Sequence, residues 1–251
     1  RARGASGAPQ APERAVSGAE RSVRAADWYF DFVSPFAYLQ SERLATLAPV
    51  LRVRYRPVLF AALLDAHGQK GPAEIPAKRA FTYRHVVWLA RRAGIPLKFP
   101  HEHPFNPLPL LRLAIACDCA PDAVHRIFRF VWKDGRLPDL PIEWAELTHD
   151  LALPDADARI ASPEVKEELR RNTDEAIARG VFGVPTLAVG DELFWGVDAT
   201  AMAADYVLAG CRYDDPEYAR VAALPVGASR DARPPEGASA KRKTRIVGTA
   251  G

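Results

Sequence analysis

A serine set between a buried strand and a helix is the first residue of this chain placed to do chemistry. The stretch is Asp27-Trp28-Tyr29-Phe30-Asp31-Phe32-Val33-Ser34-Pro35-Phe36-Ala37-Tyr38-Leu39. Its aromatic and β-branched residues up to Val33 suit a buried strand. Ser34 then stands where a helix N-cap would be, with Pro35 at the first helical position. A hydroxyl there lies beside unpaired backbone N–H groups at the positive end of a helix. That geometry can hold an anion, and in particular a thiolate. A plain capping serine satisfies the same pattern, so this stretch alone leaves both readings open.

The elements that must position Ser34 can be read along the chain. The strand is followed by a helix from Pro35 to about Leu47, with apolar residues spaced at three to four, closed by Pro49. Val50–Val58 alternates apolar and basic residues, as a half-buried strand does. Strand, helix and strand make a βαβ unit. From Leu59 to Ala161 the pattern is mainly helical. Ala77–Ala93 puts Phe81, His85, Val86, Leu89 and Ala90 on one face and stops at Gly94. Leu110–Ala120, Pro121–Lys133 and Glu143–Leu151 follow, and then Ser162–Ala178. Two apolar runs, Val184–Val189 and Glu192–Trp195, flank Gly190-Asp191 as a hairpin. Asp198–Leu208 is the last helix. Without the helical block, this order is the thioredoxin arrangement. The expected domains are 26–58 with 162–212 for the thioredoxin-like part, 59–161 for a helical insertion beside the sheet, and tails at 1–25 and 225–251.

Gly183-Val184-Pro185-Thr186 is the second informative stretch. A proline at the start of a strand interrupts the ladder and fits only at an edge or turn. In a thioredoxin-like fold Pro185 would be a cis-proline facing the helix that starts after Ser34, and the exposed main chain of Val184 would be free to pair with an extended peptide. An ordinary strand-initiating proline is the alternative.

Composition narrows the classes. The chain has 251 residues, 48% hydrophobic and 26% charged, which fits one globular domain with an insertion. No apolar run is long enough to span a membrane. Of the formal net charge of +3, Arg1–Arg24 carries +3 and Pro225–Gly251 carries +4, so the region between them stands at −4. The basic excess therefore belongs to the tails and makes no case for nucleic-acid binding. Three cysteines, Cys117, Cys119 and Cys211, are few for this length. Cys117 and Cys119 fall in a stretch read as helix, where residues two apart do not face each other, so neither a disulfide nor a metal pair is expected. A reducing, cytoplasmic setting is the simplest inference. His101-Glu102-His103 resembles a metal pair but lacks further ligands at suitable spacing, and reads as a polar loop. Trp88, Trp132 and Trp144 read as packing residues.

Five stretches in order carry a resemblance. They are Phe30–Tyr38, Gly71–Lys78 (Gly-Pro-Ala-Glu-Ile-Pro-Ala-Lys), Pro104–Leu108 (Pro-Phe-Asn-Pro-Leu), Gly180–Thr186 and Phe194–Asp198. On these the chain resembles the 2-hydroxychromene-2-carboxylate isomerases and the related kappa-class glutathione transferases. Both are DsbA-like thioredoxin folds with a helical insertion. The resemblance implies an α/β, thioredoxin-like (DsbA-like) fold with a large all-helical insertion between its βαβ and αββα halves. In disulfide oxidoreductases of this fold the turn carries Cys-x-x-Cys. Here it is Ser34-Pro35-Phe36-Ala37, so dithiol exchange lacks both its nucleophile and its resolving thiol.

A serine there can instead hydrogen-bond a sulfur supplied by a cofactor and lower its pKa, and the resemblance implies glutathione in that role. It also implies cofactor-binding residues. Val184, on the Pro185 loop, pairs its backbone with the cysteinyl part, and Lys78 and more weakly Gln69 meet the glycyl end. Asp198, with Val197 beside it, meets the γ-glutamyl amine, although Asp198 equally suits an N-cap. Relatives often carry Arg after that Asp where this chain has Ala199, which puts one anchoring contact in question. Phe36, Tyr38, Tyr83 and Trp195 are candidates for an aromatic substrate pocket, with core packing as the alternative. The implied activity is glutathione-dependent isomerisation of a small aromatic carboxylate, by a homodimer without nucleic-acid or membrane partners. The alternatives are a kappa-like transferase acting on electrophiles, or a non-catalytic thioredoxin-like peptide-binding module.

Overall fold

Strand β1 (Arg24–Phe30) is buried from Ala26 onward, because its aromatic residues are covered on both faces. The computed structural model describes residues 23–208, 213 and 215–227. β1 pairs in parallel with β2 (Leu51–Pro57) and antiparallel with β3 (Thr186–Val189), and β3 pairs antiparallel with β4 (Glu192–Trp195). The resulting mixed sheet has the order β2-β1-β3-β4. Helix α1 (Pro35–Leu44) makes the crossover from β1 to β2, as a parallel pair requires. Its last expected turn, Ala45–Leu47, is a tighter 3-10 turn. β1 begins at Arg24, inside the stretch expected to be tail; residues 1–22 and 228–251 lie outside the described residues.

Between β2 and β3 run α2 (Phe60–Ala66), α3 (Pro76–Ala93), α4 (Leu108–Ala116), α5 (Pro121–Trp132), α6 (Pro141–Asp150), α7 (Ala156–Ala161) and α8 (Pro163–Ala178). Four of these seven helices open on proline, whose fixed φ and missing N–H suit a first helical position. α5 packs on α1, α4 packs on β2 and α8, and α2 packs on α8. After the β3–β4 hairpin comes α9 (Thr200–Leu208). Residues from 212 on form a separate unit, in which α10 (Pro216–Ala222) starts at a capping Asp215.

The two faces of β1 feed two cores. Trp28 and Phe30, with Phe32 just beyond the strand, stack against Phe128 of α5, with ring centroids 5.8, 5.6 and 4.5 Å from it. Tyr29 points to the other face and packs with Val58, Leu63, Ala176, Val181, Val184 and Ala188. The helix carrying Phe128 therefore covers the face of β1 that leads into Ser34.

Three sequence expectations change here. Leu110–Ala120 is not one helix: α4 ends at Ala116, and Asp118 and Cys119 take φ of 54° and 51°. Pro121 disfavours helical backbone before it, so the chain turns there. Cys117 and Cys119 thus sit in a turn and not on a helix face. Phe81 and Trp88 of α3 are 60% and 54% exposed, because the buried stripe of that helix runs through Val86 and Ala90. The short helix α7 carries too few residues to show a period.

Truncation of the ring that joins helix to strand tests this packing. Phe128→Ala should cost about 3–5 kcal/mol, read as a lower urea midpoint at unchanged slope.

Candidate active site

The turn after β1 is held at nearly every polar group. The Asp31 carboxylate accepts from Val33 N–H at 3.0 Å and from Phe60 N–H at 2.9 Å, which ties the turn to the start of α2. The Asp31 carbonyl accepts from Ser34 N–H at 3.1 Å. The Phe32 carbonyl accepts from the Trp132 indole at 2.9 Å, and the Val33 carbonyl lies 2.8 Å from His103 Nε2. Ser34 then caps α1: its backbone is extended (φ −91°, ψ 112°), and its Oγ accepts from Ala37 N–H at 3.2 Å.

The loop before β3 faces this cap. The Val184–Pro185 peptide is cis, the isomer favoured from the sequence. The Val184 carbonyl lies 3.5 Å from Ser34 Oγ, at the outer limit for a hydrogen bond. Gly196 N–H donates to the Pro185 carbonyl at 2.8 Å. Gln40 of α1 donates to the Gly196 carbonyl and accepts from the Trp28 indole, which fastens loop, helix and strand together. Gly183 is required by a close approach, since a Cβ there would stand 2.5 Å from Trp195 Nε1.

Ser34 and Val184 open on a cavity of about 580 Å3. The candidates Ser34, Gln69, Lys78, Val184, Phe36, Tyr83 and Trp195 all line it. Lys78 sits in the first turn of α3, where no acidic residue balances it and the helix end disfavours its charge. It has no ion pair among the described residues, and Lys70 stands on the same wall.

Four candidates are placed elsewhere. Tyr38 is fully buried and its hydroxyl donates to the Pro96 carbonyl at 2.6 Å, so its ring is core and not pocket wall. Pro185 is buried, with its carbonyl committed to Gly196. Val197 and Asp198 follow Trp195 off the lining. Asp198 is exposed, and α9 starts only at Thr200, so Asp198 is not its N-terminal residue.

Two lining residues were missed. Asp31 was legible as an acid inside an apolar run; burial pushes its carboxyl up to about 7 against two backbone donors that pull it down. His103 was set aside as part of a polar loop. Its ring is half-buried, holds the Val33 carbonyl and meets the Tyr83 hydroxyl at 2.6 Å. Its position directly before Pro104-Phe105-Asn106-Pro107 was the available signal. His101, by contrast, stays at the surface beside Asp139. Among the described residues, no group of three or more His, Cys, Asp or Glu could hold a metal, and no helix is long and apolar enough to cross a membrane. A second cavity, of about 600 Å3, runs along β2 past Arg54, Arg56, Cys119 and Asn172 and contains none of the candidates.

Fold and site together define a thioredoxin-like protein in which a serine occupies the position of the redox thiol. Residues 25–208 match the family described as DSBA-like thioredoxin domain. The 2-hydroxychromene-2-carboxylate isomerase of Pseudomonas putida is 34% identical over 184 residues, covering 70% of this chain and 90% of that protein. Glutathione S-transferase kappa 2 of Caenorhabditis elegans is 27% identical over 202 residues, covering 72% and 90%. A solved 2-hydroxychromene-2-carboxylate isomerase superposes with a TM-score of 0.66 at 30% identity, covering 78% of this chain and 98% of that one. The chain belongs to the DsbA-like thioredoxin family, in the branch of the 2-hydroxychromene-2-carboxylate isomerases.

Asp31 sets a pH dependence of stability. Its folded pKa of about 7 lies above the ordinary 3.8, so the native state holds the proton more tightly. The stability this contributes is full below about pH 4 and is lost as pH rises toward about 7. Asp31→Asn does not titrate, so its unfolding free energy should fall less than the wild type's across that window, on top of a constant loss of about 1–3 kcal/mol from the disturbed hydrogen bonds. Urea unfolding at a series of pH values checks this; parallel curves would refute the assignment.

Proposed function

We propose that this chain is a glutathione-dependent isomerase of 2-hydroxychromene-2-carboxylate or a close aromatic analogue. The observation that carries the reading is the pairing of the Ser34 hydroxyl, at the N-terminus of α1, with the Val184 main chain across one cavity. The isomerase relatives support it. The Ser34 hydroxyl donates a hydrogen bond to the sulfur of bound glutathione, and the positive end of α1 stabilises the thiolate. Val184 meets the cysteinyl main chain. Lys78, unpaired and on the wall, receives the glycyl carboxylate with Gln69 beside it. Asp198, exposed and without an ion pair among the described residues, is assigned to the γ-glutamyl amine.

Glutathione held there by Ser34 and Val184 would supply a thiolate nucleophile for the conjugated carbon of the ring-opened substrate, so that a double bond could become single, rotate and re-form as the same thiolate leaves. Glutathione is thus a covalent catalyst and not a consumed reactant. Phe36 and Trp195 supply apolar wall for the aromatic ring.

The kappa-class relative supports a second reading, conjugation of glutathione to an electrophile. Thiol activation is common to both. Turnover of a chromene carboxylate without loss of glutathione marks the isomerase, and consumption of glutathione by an aryl halide marks the transferase.

Ser34→Ala should raise the pKa of the bound thiol and lower kcat by about 10²-fold or more, with about 1 kcal/mol lost from the helix cap. An unchanged thiol pKa and unchanged turnover would sink the reading. Lys78→Ala should raise the KM for glutathione several-fold at nearly constant kcat, since it removes binding common to ground and transition states.

A further inference from the structure

Tyr83 and His103 share the cavity with Ser34. Their hydrogen bonds favour one arrangement of protons. His103 Nε2 lies 2.8 Å from the Val33 carbonyl, which can only accept, so Nε2 carries the proton. In the neutral ring Nδ1 is then an acceptor, and the Tyr83 hydroxyl 2.6 Å away donates to it, with the His103 carbonyl at 2.9 Å a second, longer acceptor of the same proton. The rings of Phe99, Phe105 and Trp132 surround the imidazole, with centroids 6.2, 6.2 and 5.4 Å away. Burial among them lowers the imidazole pKa, and Arg79 of α3 is a charged group acting in the same direction. The neutral imidazole is therefore the resting form. The Tyr83 oxygen, having given its proton to Nδ1, is left as an acceptor on the cavity wall. An acceptor backed by a neutral base is the arrangement a proton relay needs.

We propose that Tyr83 and His103 form a proton relay that opens the hemiketal ring of the substrate, a role that rests on the isomerase reading above. The 2-hydroxychromene-2-carboxylate nucleus carries its hydroxyl and its ring oxygen on one carbon. The Tyr83 oxygen takes the hydroxyl proton while its own proton passes to His103 Nδ1. The freed O–H electron pair becomes the carbonyl π bond. The ring carbon–oxygen bond breaks and its pair goes to the aryl oxygen. The proton then returns from His103 through Tyr83 to that oxygen, so no atom is oxidised or reduced. The transient imidazolium keeps Nε2–H on the Val33 carbonyl, which faces the positive charge it must bear. The relay and the Ser34 turn thus share one backbone peptide and keep separate tasks: Ser34 makes the nucleophile, and Tyr83 with His103 prepares its target.

The test uses the full chain with saturating glutathione and 2-hydroxychromene-2-carboxylate. Y83F and H103Q, alone and combined, are followed as kcat against pH, with the KM for glutathione and the pKa of its bound thiol. Either variant should lower kcat by about 10²-fold, Y83F with KM and thiol pKa unchanged because it leaves the bond to the Val33 carbonyl in place, and the double variant should be no slower than the slower single. The wild-type kcat should fall on the acidic side as His103 takes up a proton, and Y83F should lose that dependence. A wild-type kcat or a shifted thiol pKa in Y83F, or multiplied losses in the double variant, would overturn the relay while leaving the isomerase reading intact. A wild-type protein inert toward the chromene carboxylate would overturn that reading and the relay with it. Should H103Q fail to fold, Y83F alone decides, because loss of one hydroxyl leaves its ring packing in place.

Discussion

The whole site depends on burying a turn without orphaning its polar groups. Between Asp31 and Ser34 the backbone leaves a strand and enters a helix inside the protein, where an unpaired N–H or C=O costs about 1–3 kcal/mol. The partners come from far along the chain: Phe60 from α2, Trp132 from α5, and His103 from the connection before α4. These belong to the helical stretch between β2 and β3. That stretch does more than cover the sheet, since it supplies the donors that fix where the Ser34 hydroxyl points. A hydroxyl held in this way needs no reorganisation when charge develops on a sulfur beside it, which is the condition for strong electrostatic stabilisation.

Asp31 shows how the same turn manages charge. A full carboxylate this close to the N-terminus of α1 would oppose the field that favours a thiolate. Burial drives the other way, lifting the carboxyl to about 7. Near neutral pH the group is therefore only partly ionised, and it still organises two backbone donors. The acid serves as scaffold, and the positive helix end is left for an incoming anion.

The sheet, its crossover helix and the final hairpin were legible because their signals are local: an aromatic run, alternation in Val50–Val58, and Gly190-Asp191 between apolar stretches. Ser34 and the cis-proline loop were legible for the same reason. Each is a residue type in a position that few other uses explain. What escaped was whatever depends on distant partners. His103 looks like a loop histidine until Val33 and Tyr83 are brought to either side of it. Tyr38 looks like a pocket aromatic until α1 is rotated so that its ring faces the core and its hydroxyl meets Pro96. The faces of α3 were misjudged because a histidine and three aromatic residues give it two plausible apolar stripes, and packing chose the one through Val86 and Ala90.

The replacement of the dithiol motif has a stricter consequence than loss of redox chemistry. Ala37, at the second thiol position, is fully buried, so that site offers no atom to a ligand. Cys119 lines the other cavity, and Cys117 shares its turn, so neither can bring a sulfur to Ser34. Ser34 Oγ already accepts from Ala37 N–H, while its own proton has only a carbonyl 3.5 Å away. The hydroxyl is thus satisfied as an acceptor and poorly satisfied as a donor. Such a group, at the positive end of a helix and on the wall of a cavity of about 580 Å3, suits an anionic acceptor. Under the proposed function, a thiolate from outside the chain would answer the missing donor bond and the missing sulfur together.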